Sequence, residues 1–227
     1  MGKWKKWLSA GLFTAMLGTA IIAGPTADVS ANAGNKPYNI ENVSPDAQLA
    51  PSVGDSSSKT SSKAWHKIDG VCYNGSGKKV EGAITRGMDV SEWQGKINWK
   101  EAKKDLDFAF VRISYGTRHL DDYYDYNMTE AEAADVPVGT YVYSLAKTNK
   151  EALAEAQLAI RQMQGHKVSY PVAFDLEDEA TLGTLTRKEI SQIALTFCDE
   201  IRKAGYTPIL YMNLNWYNNF VDWNVLE

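Results

Sequence analysis

Cysteine and histidine are scarce in this 227-residue chain. It contains two cysteines, Cys72 and Cys198, and three histidines, His66, His119 and His166. None of them stands at the C-x-x-C or H-x-x-x-H spacing that zinc and iron–sulfur sites use, so the sequence predicts no metal and no cofactor. Because the two cysteines lie 126 residues apart and one of them occupies an apolar helix position, we expect both to be free thiols.

A basic surface is missing as well. Residues 84–227 carry 15 Lys and Arg against 22 Asp and Glu, whereas residues 1–83 carry nine against six. An acidic domain cannot neutralise the phosphates on which nucleic-acid binding mainly depends, which excludes nucleic acid as the main partner. With 44% hydrophobic and 23% charged residues, the composition is that of a globular protein with a packed core.

The N-terminus has the pattern of a secretory signal peptide over residues 1–33. Three lysines precede an apolar stretch from Trp7 to Ala23, and Ala31-Asn32-Ala33 offers a cleavage site. A retained membrane anchor is the alternative, since 17 residues approach the length of a spanning helix, but glycines interrupt the run. We therefore expect a secreted protein, with no stable membrane partner after cleavage.

Two short segments follow. Residues 34–63 lack aliphatic periodicity and end in Ser, Thr and Lys, which predicts a disordered linker. Residues 64–83 alternate aromatic and apolar positions around the turn dipeptides Asp69-Gly70 and Asn74-Gly75, which predicts a hairpin. Through Trp65, Gly70, Tyr73 and Gly77, the segment resembles one unit of the wall-binding repeats of exported bacterial proteins. Since such repeats need stacked neighbours, a lead-in hairpin that packs on the main domain is the alternative.

Residues 84–227 alternate between apolar runs and amphipathic segments. The strand-like runs are ITRGMDV, FAFVRISYG, PVGTYVYSLA, YPVAFDLE and TPILYMNLN. The segments between them have helical spacing, and two of them begin with Thr148…Glu151 and Thr186…Glu189 capping boxes. This alternation predicts an α/β fold with a parallel sheet covered by helices. Eight such units would need upward of about 200 residues, so we expect either a complete open sheet or the front part of a barrel.

Carboxylates concentrate at two predicted strand ends, which form the reactive face of parallel α/β folds. Asp175 and Glu177 close the fourth strand and, two residues apart, point to the same side; Asp89 closes the first strand. Neighbouring carboxylates in an apolar setting raise the pKa of one of them, which gives an acid beside a base or a charge stabiliser. The alternative is a solvated acidic loop, because two more acids follow directly.

Side chains suited to sugars surround these acids. Carbohydrates present hydroxyls and an apolar ring face, which match tyrosine, tryptophan and amide groups. The candidate substrate-binding residues are Ser91, Trp93, Gln94, Tyr115, Tyr143, Tyr211 and Asn213. We expect Trp99, Trp216 and Trp223 instead to fill space under loops.

Four of these segments together resemble glycoside hydrolase family 25, the exported lysozymes that cut peptidoglycan. They are RGMDVSEWQGKINW, FAFVRISYG, GTYVYS and PVAFDLED, in the order in which the family has them. The resemblance implies a flattened β/α (TIM-like) barrel that is incomplete at the C-terminus, because the family's later strands, with a W-Q-Y-type segment and an acidic loop, have no match here.

The resemblance also implies a chemistry. It implies a protein of the bacterial cell wall that hydrolyses, without a metal, the β-1,4 bond between N-acetylmuramic acid and N-acetylglucosamine in peptidoglycan strands. Glu177 matches the family's proton donor, Asp175 the residue that orients the acetamido group or stabilises charge, and Asp89 the acid that ends the first strand. A non-catalytic peptidoglycan-binding protein or an inactive remnant is the alternative. The sequence leaves the oligomeric state open.

Overall fold

The computed structural model describes residues 66–74 and 77–226, together with the backbone of residues 19–23. The predicted linker and most of the predicted signal peptide lie outside the described residues. The strands are β1 (Thr19–Ala23), β2 (His66–Ile68), β3 (Val71–Tyr73), β4 (Ala83–Val90), β5 (Phe108–Tyr115), β6 (His119–Leu120), β7 (Val138–Tyr143), β8 (Val172–Asp175) and β9 (Pro208–Tyr211). The helices are α1 (Trp99–Ala102), α2 (Tyr124–Ala133), α3 (Asn149–Met163), α4 (Glu179–Leu182), α5 (Arg187–Lys203), α6 (Leu214–Asn219) and α7 (Trp223–Leu226).

Five parallel strands form the centre of the fold. β4, β5, β7, β8 and β9 lie side by side in chain order, and β6 folds back on β5. The sheet curls into a half-barrel with helices on its outer side, which confirms the predicted α/β architecture. One predicted helix is shorter than expected: within residues 98–106 only the single turn α1 forms.

β1 lies beside the first strand of this sheet. Its backbone runs antiparallel to β4, with Thr19 opposite Met88 and Ala23 opposite Ala83. β1 belongs to the stretch that the sequence predicts to be a signal peptide, and cleavage of residues 1–33 stays a prediction. None of the helices within the described residues is long and apolar enough to cross a membrane.

The main core lies between the sheet and the helices. α5 begins with the predicted capping box, in which the side chains of Thr186 and Glu189 bond to each other's backbone N–H. Apolar residues recur along the helix at three- and four-residue spacing, so one stripe faces the sheet. In this stripe Phe197 stacks on Phe174 of β8, with ring centroids 4.0 Å apart. These contacts fix the position of β8 and of the acids that follow it.

A second, smaller cluster covers the concave side of the sheet, which we call the inner face. Its buried members are Phe108, Phe110, Ala173 and Tyr211. Two glycines make room for the rings: a Cβ on Gly87 would lie 2.1 Å from Phe108, and one on Gly139 would lie 2.6 Å from Phe110. The aromatic rings thus form the floor on which the polar groups at the strand ends stand.

The predicted hairpin is present and packs on the main domain. β2 pairs antiparallel with β3 through the two-residue turn Asp69-Gly70, where both residues have positive φ, 49° and 79°. This is the type I′ geometry that Asp-Gly favours. Lys67 reaches across to Asp107, with Nζ 2.9 Å from the carboxylate. Cys72 and Cys198 are both buried and free, as the sequence predicts.

Candidate active site

Three carboxylates meet at the carboxyl ends of the strands. Asp175, the last residue of β8, stands in register with Tyr143 and Tyr211 on its neighbours. The side chains before and after it, Phe174 and Leu176, are fully buried in the main core, so Asp175 faces the other way, along the inner face. Glu177 follows and is half-buried.

Asp89 joins this group from β4. It stands in register with Phe110, a member of the inner-face cluster, and register partners in a parallel sheet point to the same side. The charges of Glu177 and Asp89 both act on Asp175. The structure therefore brings together the three acids that the sequence singled out.

Burial dominates the electrostatics of this cluster. It raises the pKa of Glu177 to about 7. Burial, together with the charge of Glu177, raises the pKa of Asp89 to about 7. The pKa of Asp175 is raised well above its usual range by burial and then by the charges of Glu177 and Asp89, while Arg112 acts in the opposite direction. The cluster consequently retains protons near neutral pH.

Two oxygens of the cluster are buried without a donor. Oδ1 of Asp89 and Oδ1 of Asp175 have no hydrogen-bond partner among the residues that the structure describes. Leaving a buried polar atom unpaired costs free energy, and such atoms concentrate at functional sites. These oxygens can accept an N–H or O–H of a bound ligand. Within the described ranges, no group of three or more His, Cys, Asp or Glu side chains could hold a metal ion.

Arg112 supplies positive charge behind the cluster, and sequence reasoning missed it. Its buried guanidinium contacts Asp121, with Nε 2.8 Å from Oδ2, and Glu92, with Nη2 2.9 Å from Oε1. Glu92 in turn lies 2.8 Å from Nε2 of His119. A charged residue inside the otherwise apolar run FAFVRISY was the available signal, because a buried arginine must be paired.

Two tyrosines form a wall beside the acids, and we refer to Tyr115 and Tyr143 as the tyrosine wall. Their rings stack with centroids 4.9 Å apart and an interplanar angle of 18°. A one-residue bulge between Arg112 and Ser114 places them side by side, because it brings Tyr115 into register with Tyr143. Both hydroxyls donate to Oδ2 of Asp178, over 3.2 Å and 3.5 Å.

The segment after β4 presents Trp93 to solvent. Ser91 and Gln94 form a capping box around the short 3₁₀ turn Glu92–Gln94. Ser91 is buried, and its backbone N–H donates to Gln94 Oε1 over 2.7 Å. Trp93 lies between them with 77% of its side chain exposed. In the structure, the polar groups of Ser91 and Gln94 thus hold the turn; their contact with substrate stays a prediction.

The remaining candidates flank the last strand. Tyr211 is buried beside Asp175, whereas Asn213 is exposed and caps α6 by accepting from the N–H of Trp216 over 3.1 Å. Trp99 and Trp216 are fully buried, as expected of residues that fill space under loops, and Trp223 is half-buried.

Comparison with curated proteins finds relatives of similar sequence. A protein named YegX from Escherichia coli K12 is 26% identical over 139 residues, which are 58% of this chain and 49% of that protein. Lysozyme M1 of Streptomyces globisporus is 38% identical over 60 residues, 26% of this chain and 20% of the lysozyme. The chain spans about half the length, or less, of these curated relatives.

Solved structures share the fold. A family 25 glycosyl hydrolase from Bacillus anthracis matches with a TM-score of 0.52 and 23% identity, over 60% of this chain and 64% of that one. The modular autolysin LytC of Streptococcus pneumoniae, in complex with a synthetic peptidoglycan ligand, matches with a TM-score of 0.53 and 20% identity, over 67% of this chain and 44% of that one. The profile of the glycosyl hydrolases family 25 matches residues 88–226, more than half of the sequence. The chain therefore belongs to glycosyl hydrolase family 25.

Proposed function

We propose that this protein is a peptidoglycan hydrolase of the lysozyme (muramidase) type, which cuts the β-1,4 bond between N-acetylmuramic acid and N-acetylglucosamine at the bacterial cell wall. The observation that carries the proposal is the meeting of Asp89, Asp175 and Glu177 on the inner face, at the carboxyl ends of β4 and β8. Membership of the family supports it, as does the peptidoglycan ligand bound by the autolysin relative.

Glu177 has the properties of the general acid. Burial raises its pKa to about 7, so it holds a proton up to about neutral pH. In the proposed reaction this proton goes to the glycosidic oxygen as the bond from that oxygen to C1 breaks. The carboxylate that remains then takes a proton from the water that attacks C1.

Asp175 has the properties of an orienting group. Its buried Oδ1 is an acceptor without a donor among the described residues, which suits the N–H of an acetamido group. Held in this way, the acetamido oxygen can bond to C1 as the leaving group departs, and Asp175 in its ionised form stabilises the positive charge of the resulting oxazolinium ring. The bond between C1 and the acetamido oxygen breaks again when water attacks C1, which restores the acetamido group. Asp89 adds a second buried acceptor and keeps the cluster rich in protons.

The test is replacement of the acid by its amide. Glu177→Gln keeps the shape but cannot donate the proton, so the release of reducing ends from purified peptidoglycan should fall by about a hundredfold or more. Glu179→Gln is the matched control, because Glu179 is exposed and two residues away. A folded Glu177→Gln protein that cuts the wall as fast as the parent would contradict the assignment. Pull-down by peptidoglycan without new reducing ends in the parent would favour the non-catalytic, wall-binding alternative.

A further inference from the structure

Asp178 connects the tyrosine wall to the segment that follows Glu177. We call the space between this wall and the three acids the cleft. Its Oδ2 accepts both hydroxyls of the tyrosine wall, over 3.2 Å from Tyr115 and 3.5 Å from Tyr143. Its Oδ1 accepts the backbone N–H of Thr181 over 2.8 Å and so caps α4. Both oxygens of one carboxylate are therefore engaged, one by the wall and one by the segment that follows Glu177.

The wall is a surface that can bind a sugar ring. Tyr115 is 38% exposed and Tyr143 is half-buried, so part of the stacked pair faces solvent at the edge of the cleft. The apolar face of a pyranose ring packs well on an aromatic ring. A side chain that is already fixed loses less conformational entropy when a ligand binds, so anchored rings bind more tightly than mobile ones.

Both phenols of the tyrosine wall stay protonated near neutral pH. Burial and the negative charge of Asp178 raise the pKa of Tyr115 and of Tyr143. Both hydroxyls accordingly remain donors over the whole pH range in which the acid cluster titrates. The hydrogen bonds from Tyr115 and Tyr143 to Asp178 are thus kept when Glu177 gains or loses its proton.

We propose that Asp178 is a positioning residue for substrate: it fixes Tyr115 and Tyr143 as a rigid wall that binds a sugar ring of the glycan next to Glu177. The proposal rests on the proposed function, because it assumes a saccharide in this cleft. Asp178 itself acts through the two tyrosines and takes no part in proton transfer.

A variant that separates the two tasks of Asp178 tests the proposal. In Asp178→Ser the shorter hydroxyl can still cap α4, since serine is a good N-cap, but it cannot reach the tyrosine hydroxyls. We expect KM for soluble peptidoglycan fragments to rise about five- to twentyfold, which corresponds to about one to two kcal/mol of binding free energy. We expect kcat to change less than about threefold. Glu179→Gln, which removes a charge one residue away, should leave both constants unchanged.

Two further arms make the outcome decisive. In a background with Tyr115→Phe and Tyr143→Phe, Asp178→Ser should add nothing to the loss, because its partners are already gone. Affinity for the same fragments is measured by calorimetry in the Glu177→Gln background, so the result does not depend on turnover. Unchanged affinity in Asp178→Ser, or a loss that adds fully to that of the phenylalanine variants, overturns the proposal. A parent that binds no fragment at all overturns the proposed function, and the proposal with it.

Discussion

Tyr143 and Asp175 occupy directly opposed positions at the carboxyl ends of β7 and β8. Burial raises the pKa of Tyr143, and the charges of Asp178 and Asp175 raise it further. Since burial and neighbouring acids raise the pKa of Asp175 as well, two groups in contact positions both favour their protonated forms. This edge of the sheet therefore retains protons to a higher pH than the same residues would in solution.

The first prediction concerns the pH dependence of activity. With the pKa of Glu177 raised to about 7, the general acid stays protonated up to neutral pH and is lost above it. The rate on soluble wall fragments should be greatest near neutral pH and should fall on the alkaline side, as Glu177 loses its proton. It should fall on the acidic side from just below neutral pH, because burial raises the pKa of Asp89 to about 7 and that of Asp175 well above its usual range, so the cluster gains further protons there. A rate that still climbs well above neutral pH in folded protein would show that Glu177 is not the acid.

The second prediction concerns stability and a buried acid outside the site. Glu155 of α3 is 2% exposed; it accepts Ser144 Oγ over 2.8 Å and the N–H of Leu145 over 3.0 Å. Burial raises its pKa from 4.5 to about 7. Because the folded state holds this proton more tightly than the unfolded chain, protonation of Glu155 contributes up to about 3 kcal/mol to the unfolding free energy. This contribution is fully present below about pH 4.5 and is lost as pH rises through about 7.

Glu155→Gln tests this sign. The amide cannot ionise, so the variant should lose less stability than the parent between pH 4.5 and pH 8 in urea unfolding. Glu130→Gln, at an exposed position of α2, should follow the parent at every pH. If the unfolding free energy of the parent and of Glu155→Gln changed equally with pH, Glu155 would not titrate in this range.

The third prediction concerns the floor of the cleft. A Cβ at position 87 would lie 2.1 Å from Phe108 Cε2, so Gly87→Ala forces the ring aside and should cost about 1–3 kcal/mol of unfolding free energy. Combining it with Phe108→Leu should recover part of this loss, because the smaller side chain frees the space. Thermal unfolding of the two single variants and the double variant measures the coupling. Fully additive losses would mean that the clash is not the cause.

The fourth prediction concerns Trp93. Since 77% of this side chain is exposed, Trp93→Ala should change the unfolding free energy by no more than about 0.5 kcal/mol. If the ring stacks on a sugar, affinity for soluble glycan should fall about five- to twentyfold, and Trp93→Tyr should recover part of it. Equal affinity in the parent and Trp93→Ala would remove Trp93 from the binding surface.

The sequence located the strands and the clustering of the three acids, for a physical reason. Strands buried on both faces are continuous apolar runs, so β5, β7 and β8 could be located without knowledge of their partners. Asp89 and Asp175 stand at the ends of β4 and β8, and Glu177 lies two residues beyond, where the topology of a parallel sheet brings them together. The local apolar pattern and the parallel topology therefore both place the three acids at the same end of the sheet.

The sequence could not predict contacts between distant residues. Asp178 reads as the continuation of an acidic loop, because its partners Tyr143 and Tyr115 lie 35 and 63 residues away. The capping role of Ser91 and Gln94 was hidden for the opposite reason: their bonds are local and form a turn, and residue type alone does not distinguish a cap from a sugar contact. In both cases the geometry of hydrogen bonds, which sequence pattern does not carry, decided the outcome.

The bulge in β5 has a consequence for how cleft chemistry can change among related proteins. Side chains along a strand alternate between its faces, so the extra residue between Arg112 and Ser114 divides β5 into two halves of opposite phase. If the same sequence paired without the bulge, Ser114 rather than Tyr115 would follow Arg112 on the inner face. Deletion of Ile113 would instead remove the bulge and leave Tyr115 opposite Tyr143. A shift of pairing within a strand, and not only a change in a loop, can therefore exchange an aromatic ring for a hydroxyl in the wall of the cleft.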